Sequence, residues 1–167
     1  MSTVNVHATC VVLGKFAAAF DAASDTGVLL LGDSGAGKSD LALRLIARGA
    51  VLVADDRTDL SISDGALFAS PPQTIVGLLE VRGAGIVRLP CQTHARIALA
   101  VMLVPPHAVP RLPQAEHFAP PAPLVLAEEF QPPLLRLAAF EESTPAKVAL
   151  AAAAFAQGRF VKEVNRL

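Results

Sequence analysis

The chain has 167 residues, which is enough for one domain with a buried core. Hydrophobic residues make up 53% of it and charged residues 17%, which excludes disorder over most of its length. A net charge of −1 and the absence of Trp and Tyr argue against nucleic acid as the partner, since that partner needs a basic face and stacking rings. There is no apolar run long enough to cross a membrane and no signal-like start, so we expect a cytoplasmic protein. Cys10 and Cys91 lack metal-binding spacing and are expected to be free thiols.

The first third of the chain is predicted to hold strands, one ambiguous segment and one helix. Residues 4–13 are rich in β-branched side chains and predict a first strand, whereas the alanine-rich residues 15–21 fit either a hairpin or a short helix. Residues 28–31 are uniformly apolar, which indicates a buried strand. Residues 40–48 predict a helix that Gly49 closes.

The middle of the chain predicts further strands and a long loop. Residues 51–56 and 96–104 are typical of strands, and residues 60–69 of a hairpin, whose Asp64-Gly65 pair suits the turn. Prolines crowd residues 105–133 and exclude long regular elements there, so we expect a loop that covers the domain as a flap.

The C-terminal part predicts a helix followed by a tail. Residues 144–157 fit a capped helix with Pro145 at its first position. We therefore expect one domain over residues 1–157 and a solvated tail over residues 158–167. The basic residues of that tail are Arg159, Lys162 and Arg166.

The most informative feature is the octapeptide GDSGAGKS at residues 32–39, which fits the phosphate-binding loop pattern G-x-x-x-x-G-K-[ST] without a mismatch. Between a buried strand and a helix, its glycines allow backbone N–H groups to face phosphate oxygens, and the helix N-terminus favours negative charge. Lys38 is expected to reach the β- and γ-phosphates and the Ser39 hydroxyl to hold Mg²⁺. The alternative is a glycine turn that only caps a helix. The predicted nucleotide-binding residues are Gly32, Asp33, Ser34, Gly35, Ala36, Gly37, Lys38 and Ser39.

Acidic residues downstream of the loop are candidates for the chemistry. Phosphoryl transfer to a hydroxyl needs a carboxylate at the metal and a base for the proton. Asp55 and Asp56 close the strand after the loop's helix, but both faces of that strand are apolar, so periodicity does not decide which acid faces the nucleotide. An acidic turn is the alternative. Glu80, in an apolar stretch followed by two glycines, suggests a buried polar role and close backbone approach, and a surface strand with a glycine turn fits as well. His7 alone is more typical of a structural histidine.

Three segments together resemble a known family. GDSGAGKSDLAL, RGAVLVADD and LLEVRGAGI, in this order and spacing, are similar to the C-terminal catalytic domain of bacterial HPr kinase/phosphorylase, in the short form typical of alpha-proteobacteria. The resemblance implies an α/β P-loop kinase of the phosphoenolpyruvate-carboxykinase-like type, with a bent mixed β-sheet and flanking helices. It also implies a cytoplasmic, homo-oligomeric serine kinase that uses ATP and Mg²⁺ to phosphorylate the phosphocarrier HPr. Members of the family also remove that phosphate with inorganic phosphate and release pyrophosphate.

The resemblance also implies roles for individual residues. Asp55 matches the family's general base, and Asp56 supports it or the metal. Glu80 matches the metal-associated acid, which gives a predicted Mg²⁺ site of Ser39, Glu80 and Asp55. His7 matches a catalytic-site histidine, although more residues than usual separate it from the phosphate loop.

The chain departs from the family pattern in two places. The family's separate N-terminal domain has no counterpart here, and the arginine-rich loop Pro-x-Arg-Pro-Gly-Arg-Asn is absent. Residues 134–137 are a candidate remnant of that loop, which makes Arg136 a predicted nucleotide-binding residue. Two alternative functions follow: a kinase of a small hydroxyl compound such as serine, and a nucleotide-sensing module that binds ATP and a partner without transfer.

Overall fold

The structure is a computed structural model that describes residues 2–161. Lys162 and Arg166 of the predicted tail lie outside the described residues.

Strands dominate the described part of the chain. The strands are β1 (Thr3–Val6), β2 (Thr9–Val12), β3 (Gly27–Leu31), β4 (Val51–Ala54), β5 (Thr58–Ser63), β6 (Ala66–Ser70), β7 (Leu78–Val81), β8 (Gly85–Arg88), β9 (Ala95–Leu103) and β10 (Leu134–Leu137). The α-helices are α1 (Lys38–Ile46) and α2 (Thr144–Ala156), and short 3₁₀ helices lie at Gly14–Phe20, Gln73–Ile75, Pro106–Ala108 and Glu128–Phe130.

Eight of these strands form one mixed sheet in the order β1-β5-β6-β9-β3-β2-β4, with β10 also paired to β9. The long strand β9 joins the two halves: its start pairs antiparallel with β6, and its later residues pair in parallel with β3 on one side and β10 on the other. On the far side of β3, β2 pairs antiparallel with both β3 and β4. Strands β7 and β8 form a separate antiparallel pair. The predicted α/β class with a bent mixed sheet is confirmed.

The core lies on both faces of this sheet. Val28 and Leu30 pack with α1 and α2 on one face, while Leu29 and Leu31 pack with the β5–β6 hairpin on the other. Successive side chains of β3 thus face opposite sides of the sheet, and because both sides are covered, every position of the strand is apolar. Leu124 and Leu126, from the proline-rich stretch, are buried in the core on the face that the β5–β6 hairpin covers. That stretch therefore covers the domain as expected.

Several predicted boundaries needed correction. The expected single strand over residues 4–13 is two strands, because the chain leaves the partner β5 at His7 and then enters the gap between β3 and β4. The ambiguous alanine-rich segment is a 3₁₀ helix. Helix α1 begins at Lys38 rather than residue 40, since Gly37 in the left-handed conformation already serves as its N-cap. The β5–β6 hairpin turns as predicted at Asp64 and Gly65, which have φ of 49° and 71°.

Candidate functional site

The phosphate-binding loop connects the carboxyl end of β3 to the start of α1. Gly32, Gly35 and Gly37 have φ of 145°, 82° and 98°, which L side chains rarely adopt. Gly37 caps α1 without any side-chain hydrogen bond, so no side chain occupies the N–H groups of the first turn. A Cβ at Gly37 would lie 2.7 Å from the Cβ of Ala139 and 2.8 Å from Cζ of Phe140. The result is a tight turn in which the Ala36 N–H donates to the Asp33 carbonyl oxygen, while the N–H groups at the start of α1 have no side-chain partner, the arrangement that anions occupy.

Lys38 folds back onto this loop. Its side chain is buried, and Nζ donates to the carbonyl oxygens of Gly32 at 2.6 Å and Asp33 at 2.9 Å. Burial lowers the pKa of Lys38 below its ordinary value, and the nearby carboxylate of Asp56 opposes part of that change. The ammonium group therefore lies at the loop with two neutral acceptors that phosphate oxygens can replace.

Asp55, which follows β4 directly, connects β2 and β7 to the loop. Its carboxylate is 4% exposed. Oδ1 accepts hydrogen bonds from the Ser39 hydroxyl at 2.6 Å and the Thr9 hydroxyl at 2.9 Å, and Oδ2 accepts one from the backbone N–H of Glu80 at 3.1 Å. Three donors from different elements fix both oxygens of this acid beside Ser39.

Asp56 turns the other way and pairs with His7. Its φ of 64° is in the left-handed region, and its side chain is 65% exposed. Nδ1 of His7 lies 3.0 Å from the Asp56 carbonyl oxygen and 3.3 Å from Oδ1. Because both neighbours are acceptors, Nδ1 carries a proton, and Nε2 is a buried ring nitrogen without a hydrogen-bond partner in the described structure. The structure thus separates the two acids, which periodicity could not do.

Of the two alternatives left open for Glu80, the structure shows a surface strand with a glycine turn and not a buried polar role. It lies on β7 with an exposed side chain, because β7 and β8 form a hairpin outside the main sheet. Gly83 and Gly85 have φ of 89° and 114° and open space around them, so they form the turn rather than permit close backbone approach. The carboxylate of Glu80 lines the same cavity as the loop, and its backbone N–H holds Asp55.

Most of these groups line one cavity of about 280 Å³, whereas the buried Asp55 does not line it and lies behind Ser39, whose hydroxyl it binds. The cavity is lined by His7, Ser34, Gly35, Gly37, Lys38, Ser39, Asp40, Leu43, Asp56, Glu80, Val81, Arg82 and Phe140. Arg82 and Phe140 were not predicted as site residues, and neither was Thr9, whose hydroxyl also accepts the Asp56 N–H at 3.4 Å. Arg82 lies in the LLEVRGAGI segment and could have been found there, whereas Thr9 and Phe140 carry no local signal.

Arg136 does not join this cavity. It lies on β10, and its guanidinium donates to both carboxylate oxygens of Glu116 at 3.2 and 2.9 Å. The hydrogen bond from Arg136 lowers the pKa of Glu116. The chain after β10 does reach the phosphate loop, but at Ala139 and Phe140 rather than at an arginine.

The residues present fit a nucleotide and a metal ion. The free N–H groups of the loop and Lys38 suit phosphate, and Ser39, Asp55 and Glu80 offer the oxygen ligands that Mg²⁺ takes. In residues 2–161 no three His, Cys, Asp or Glu side chains converge into a metal cage. Mg²⁺ at such sites is held by one or two carboxylates together with substrate phosphates, so a complete cage is not required.

No helix within residues 2–161 is long and apolar enough to span a membrane.

Comparison with known proteins identifies the family. The family model described as HPr Serine kinase C-terminal domain matches residues 16–104, more than half of the chain. The chain belongs to the HPr serine kinase C-terminal domain family. The phosphate loop, Asp55 and Glu80 all lie within the matched segment, whereas His7, Thr9 and Phe140 lie outside it.

Curated relatives in this family match over a shorter segment. An HPr kinase/phosphorylase of Clostridium botulinum (strain Eklund 17B / Type B) is 52% identical over 64 residues, which is 38% of this chain and 21% of that protein. One from Streptococcus thermophilus (strain ATCC BAA-491 / LMD-9) is 53% identical over 62 residues, 36% of this chain and 20% of that protein. The matched segment spans about one fifth of the length of these relatives.

A solved structure extends the likeness to nearly the whole fold. The HPr(Ser) kinase/phosphatase from Coxiella burnetii superposes with a TM-score of 0.70 at 24% identity, covering 94% of this chain and 99% of that one. The predicted α/β P-loop kinase-like fold with its mixed sheet is therefore confirmed.

Proposed function

We propose that this protein is an ATP- and Mg²⁺-dependent protein serine kinase that phosphorylates HPr or a closely related phosphocarrier. The observation that carries the proposal is the contact of the Asp55 carboxylate with the Ser39 hydroxyl at 2.6 Å. It joins a phosphate-binding loop to a fixed carboxylate, the pair that phosphoryl transfer requires. Membership of the HPr serine kinase family supports the same acceptor.

The loop and Lys38 would hold the triphosphate, and Ser39, Asp55 and Glu80 would hold the metal ion. A metal ion held there would supply neutralisation of charge on the transferred phosphoryl group. The loop N–H groups and Lys38 orient that group, because their positions are fixed by the glycine turn and by the packing of α1 on the sheet.

Asp55 is the proposed proton acceptor for the serine hydroxyl. Of its three donors, Ser39 is the one that a metal ion competes for, so the hydrogen bond to Oδ1 from Ser39 is exchangeable. The bonds from Thr9 to Oδ1 and from the Glu80 N–H to Oδ2 keep the carboxylate in place, and loss of the Ser39 bond leaves one acceptor position at Oδ1 for the proton. Asp56 and His7 lie at the rim and would position the acceptor serine or support the metal.

The outer part of the cavity suits a protein acceptor. Asp56, Glu80 and Arg82 are all exposed, so a serine on the surface of another protein can approach them without a buried passage. The proposal also includes the family's reverse reaction, in which inorganic phosphate removes the phosphate from HPr, and the predicted homo-oligomer.

The direct test is incubation of the protein with MgATP and purified HPr, with free L-serine in a parallel reaction, followed by mass analysis of both acceptors. A phosphoserine on HPr supports the proposal. Phosphate transfer to free serine alone would replace it with a small-molecule kinase.

One observation favours a second candidate, the nucleotide-sensing module. The family's arginine-rich loop is absent, and Arg136 is engaged by Glu116 away from the cavity. Tight MgATP binding with no transfer to either acceptor would support that module.

A further inference from the structure

We infer that the nucleoside of the bound nucleotide lies in a second, apolar cavity on the opposite side of the phosphate loop, with its base stacked on Phe140. This inference rests on the ATP-binding part of the proposed function. It assigns to the proposed ATP site a base subsite and the residue that stacks on the base.

The sheet order places different strands on the two sides of the phosphate loop. Strand β3 carries the loop, and on one side of it lie β2 and β4, next to which His7, Asp55 and Asp56 are found. The transferred phosphate belongs on this side, because the carboxylates are here. The nucleoside must then leave toward the other side, which is formed by β9 and β10.

On that other side three carboxyl ends meet. Strands β3, β9 and β10 are parallel, so the loops after them open at the same edge, where ligands of open α/β sheets bind. A cavity of about 550 Å³ lies between these loops. Its lining includes Ser34, Gly35 and Ala36 of the phosphate loop, and otherwise mainly Leu103, Val104, Pro105, Pro106 and Phe140.

Phe140 connects this cavity to the first. Its ring is 70% exposed, yet it lines both cavities, and Cζ is near enough to Gly37 to touch any side chain there. No other phenyl ring lines either cavity in the part of the chain that the structure describes. An exposed aromatic ring at the border of a phosphate site and an apolar cavity is suited to stack on a base.

The backbone that carries Phe140 is anchored on both sides. Arg44 of α1 donates to the carbonyl oxygen of Ala139 and, at 3.2 Å, to that of Glu141. Thr144 donates to the carbonyl oxygen of Ala138 at 2.5 Å. The backbone that carries the ring is therefore held beside the loop, which lowers the backbone entropy lost when a ligand stacks on Phe140.

The lining also indicates how selective this subsite is. Around the proposed base position the cavity offers mostly aliphatic side chains, and the polar side chains are confined to Asp33, Ser34 and Glu141. Stacking is tolerant of base identity because every base has a π-face. We therefore expect ATP and GTP to bind with affinities within about tenfold of each other, the factor that one hydrogen bond of about 1.4 kcal/mol supplies.

The absence of Trp and Tyr from the chain permits a sharp test. In Phe140→Trp the new indole is the single strong emitter, and MgATP is expected to quench it much more strongly than magnesium tripolyphosphate, which lacks a base to stack on it. Phe130→Trp is the matched control, because Phe130 is also exposed, at 57%, and lines neither cavity. Its emission should respond to neither ligand.

Calorimetry with Phe140→Ala gives the second readout. Loss of one stacking contact should raise the Kd for MgATP about tenfold, with the Kd for magnesium tripolyphosphate unchanged. Equal effects on both ligands, or no effect on either, would overturn the inference. So would an unchanged MgATP affinity with weaker HPr binding, which would make Phe140 a partner contact. If Phe140 discriminates the two ligands but HPr is never phosphorylated, the base subsite remains and the proposed kinase fails.

Discussion

At the scale of single residues, the site depends on one buried carboxylate and the donors that hold it. Asp55 and Ser39 could be predicted from the sequence because each lies in a motif with a known spacing. Thr9 could not, because it comes from a strand 46 residues earlier in the chain and no local pattern distinguishes its hydroxyl from that of any strand threonine. Only the pairing of β2 with β4 brings it to Asp55.

Thr9→Val is expected to lower kcat while leaving the KM for ATP unchanged. The hydroxyl is fully buried and donates to Oδ1 of Asp55, and a hydrogen bond to a charged group contributes about 1.5–3 kcal/mol, so kcat should fall by about 10- to 140-fold. The measurement is steady-state phosphorylation of HPr by each variant. Thr9→Ser, which keeps the hydroxyl, should recover most of the rate; equal impairment of the Ser and Val variants would show that Thr9 acts only through packing.

The affinity for ATP should depend on pH through Lys38. Burial lowers the pKa of this lysine in the free protein, and only its charged form attracts phosphate. Affinity should therefore be complete below the lowered pKa and fall as the pH rises through it, at pH values below the ordinary lysine range. Calorimetric titration of ATP across the alkaline range measures this. An affinity that stays constant until the ordinary lysine pKa is reached would contradict the contact between Lys38 and phosphate.

At the scale of elements, strand boundaries near the site were the least predictable feature. A single strand over residues 4–13 was a reasonable prediction from composition, but β1 and β2 pair with different partners, and the break between them places His7 at the cavity. Such a break depends on which strands are neighbours in space, and one sequence does not contain that information. The loop and α1, in contrast, are local structures and were predicted almost in full.

Gly37→Ala and Gly35→Ala test the packing of the phosphate loop. Both glycines have positive φ, so each alanine should cost about 1–2 kcal/mol of unfolding free energy. The Cβ at Gly37 also meets Ala139 and Phe140 at 2.7–2.8 Å, whereas nothing lies within 4 Å of a Cβ at Gly35. Gly37→Ala should therefore lose about 1–3 kcal/mol more in denaturant unfolding. Equal losses for the two variants would contradict the close contact between the loop and the segment after β10.

At the scale of the whole molecule, the sheet order determines on which side of the phosphate loop the acids and the apolar cavity lie. The acids lie beside β2 and β4, and the apolar cavity lies beyond β9 and β10, with the phosphate loop between them. The apolar runs of the sequence predicted the strands at residues 28–31, 51–56 and 96–104 and the burial of β3, whereas β10 was not predicted. They could not place β9 between the two halves of the sheet, because a strand covered on both faces has the same pattern wherever it lies in the order.

The amount of phosphoserine formed on HPr with MgATP, by the wild type and by Asp55→Asn, tests most directly whether this protein is an HPr kinase with Asp55 as the proton acceptor. The wild type should transfer one phosphoryl group to an HPr serine, and Asp55→Asn should be slower by about 10²–10⁴ while still binding ATP. Asp64→Asn is the matched control: this exposed aspartate lies in the β5–β6 turn away from the cavity, and asparagine tolerates its φ of 49°. Transfer by Asp55→Asn within a few-fold of the wild type, or no phosphoserine from a wild type that binds MgATP, would contradict the account.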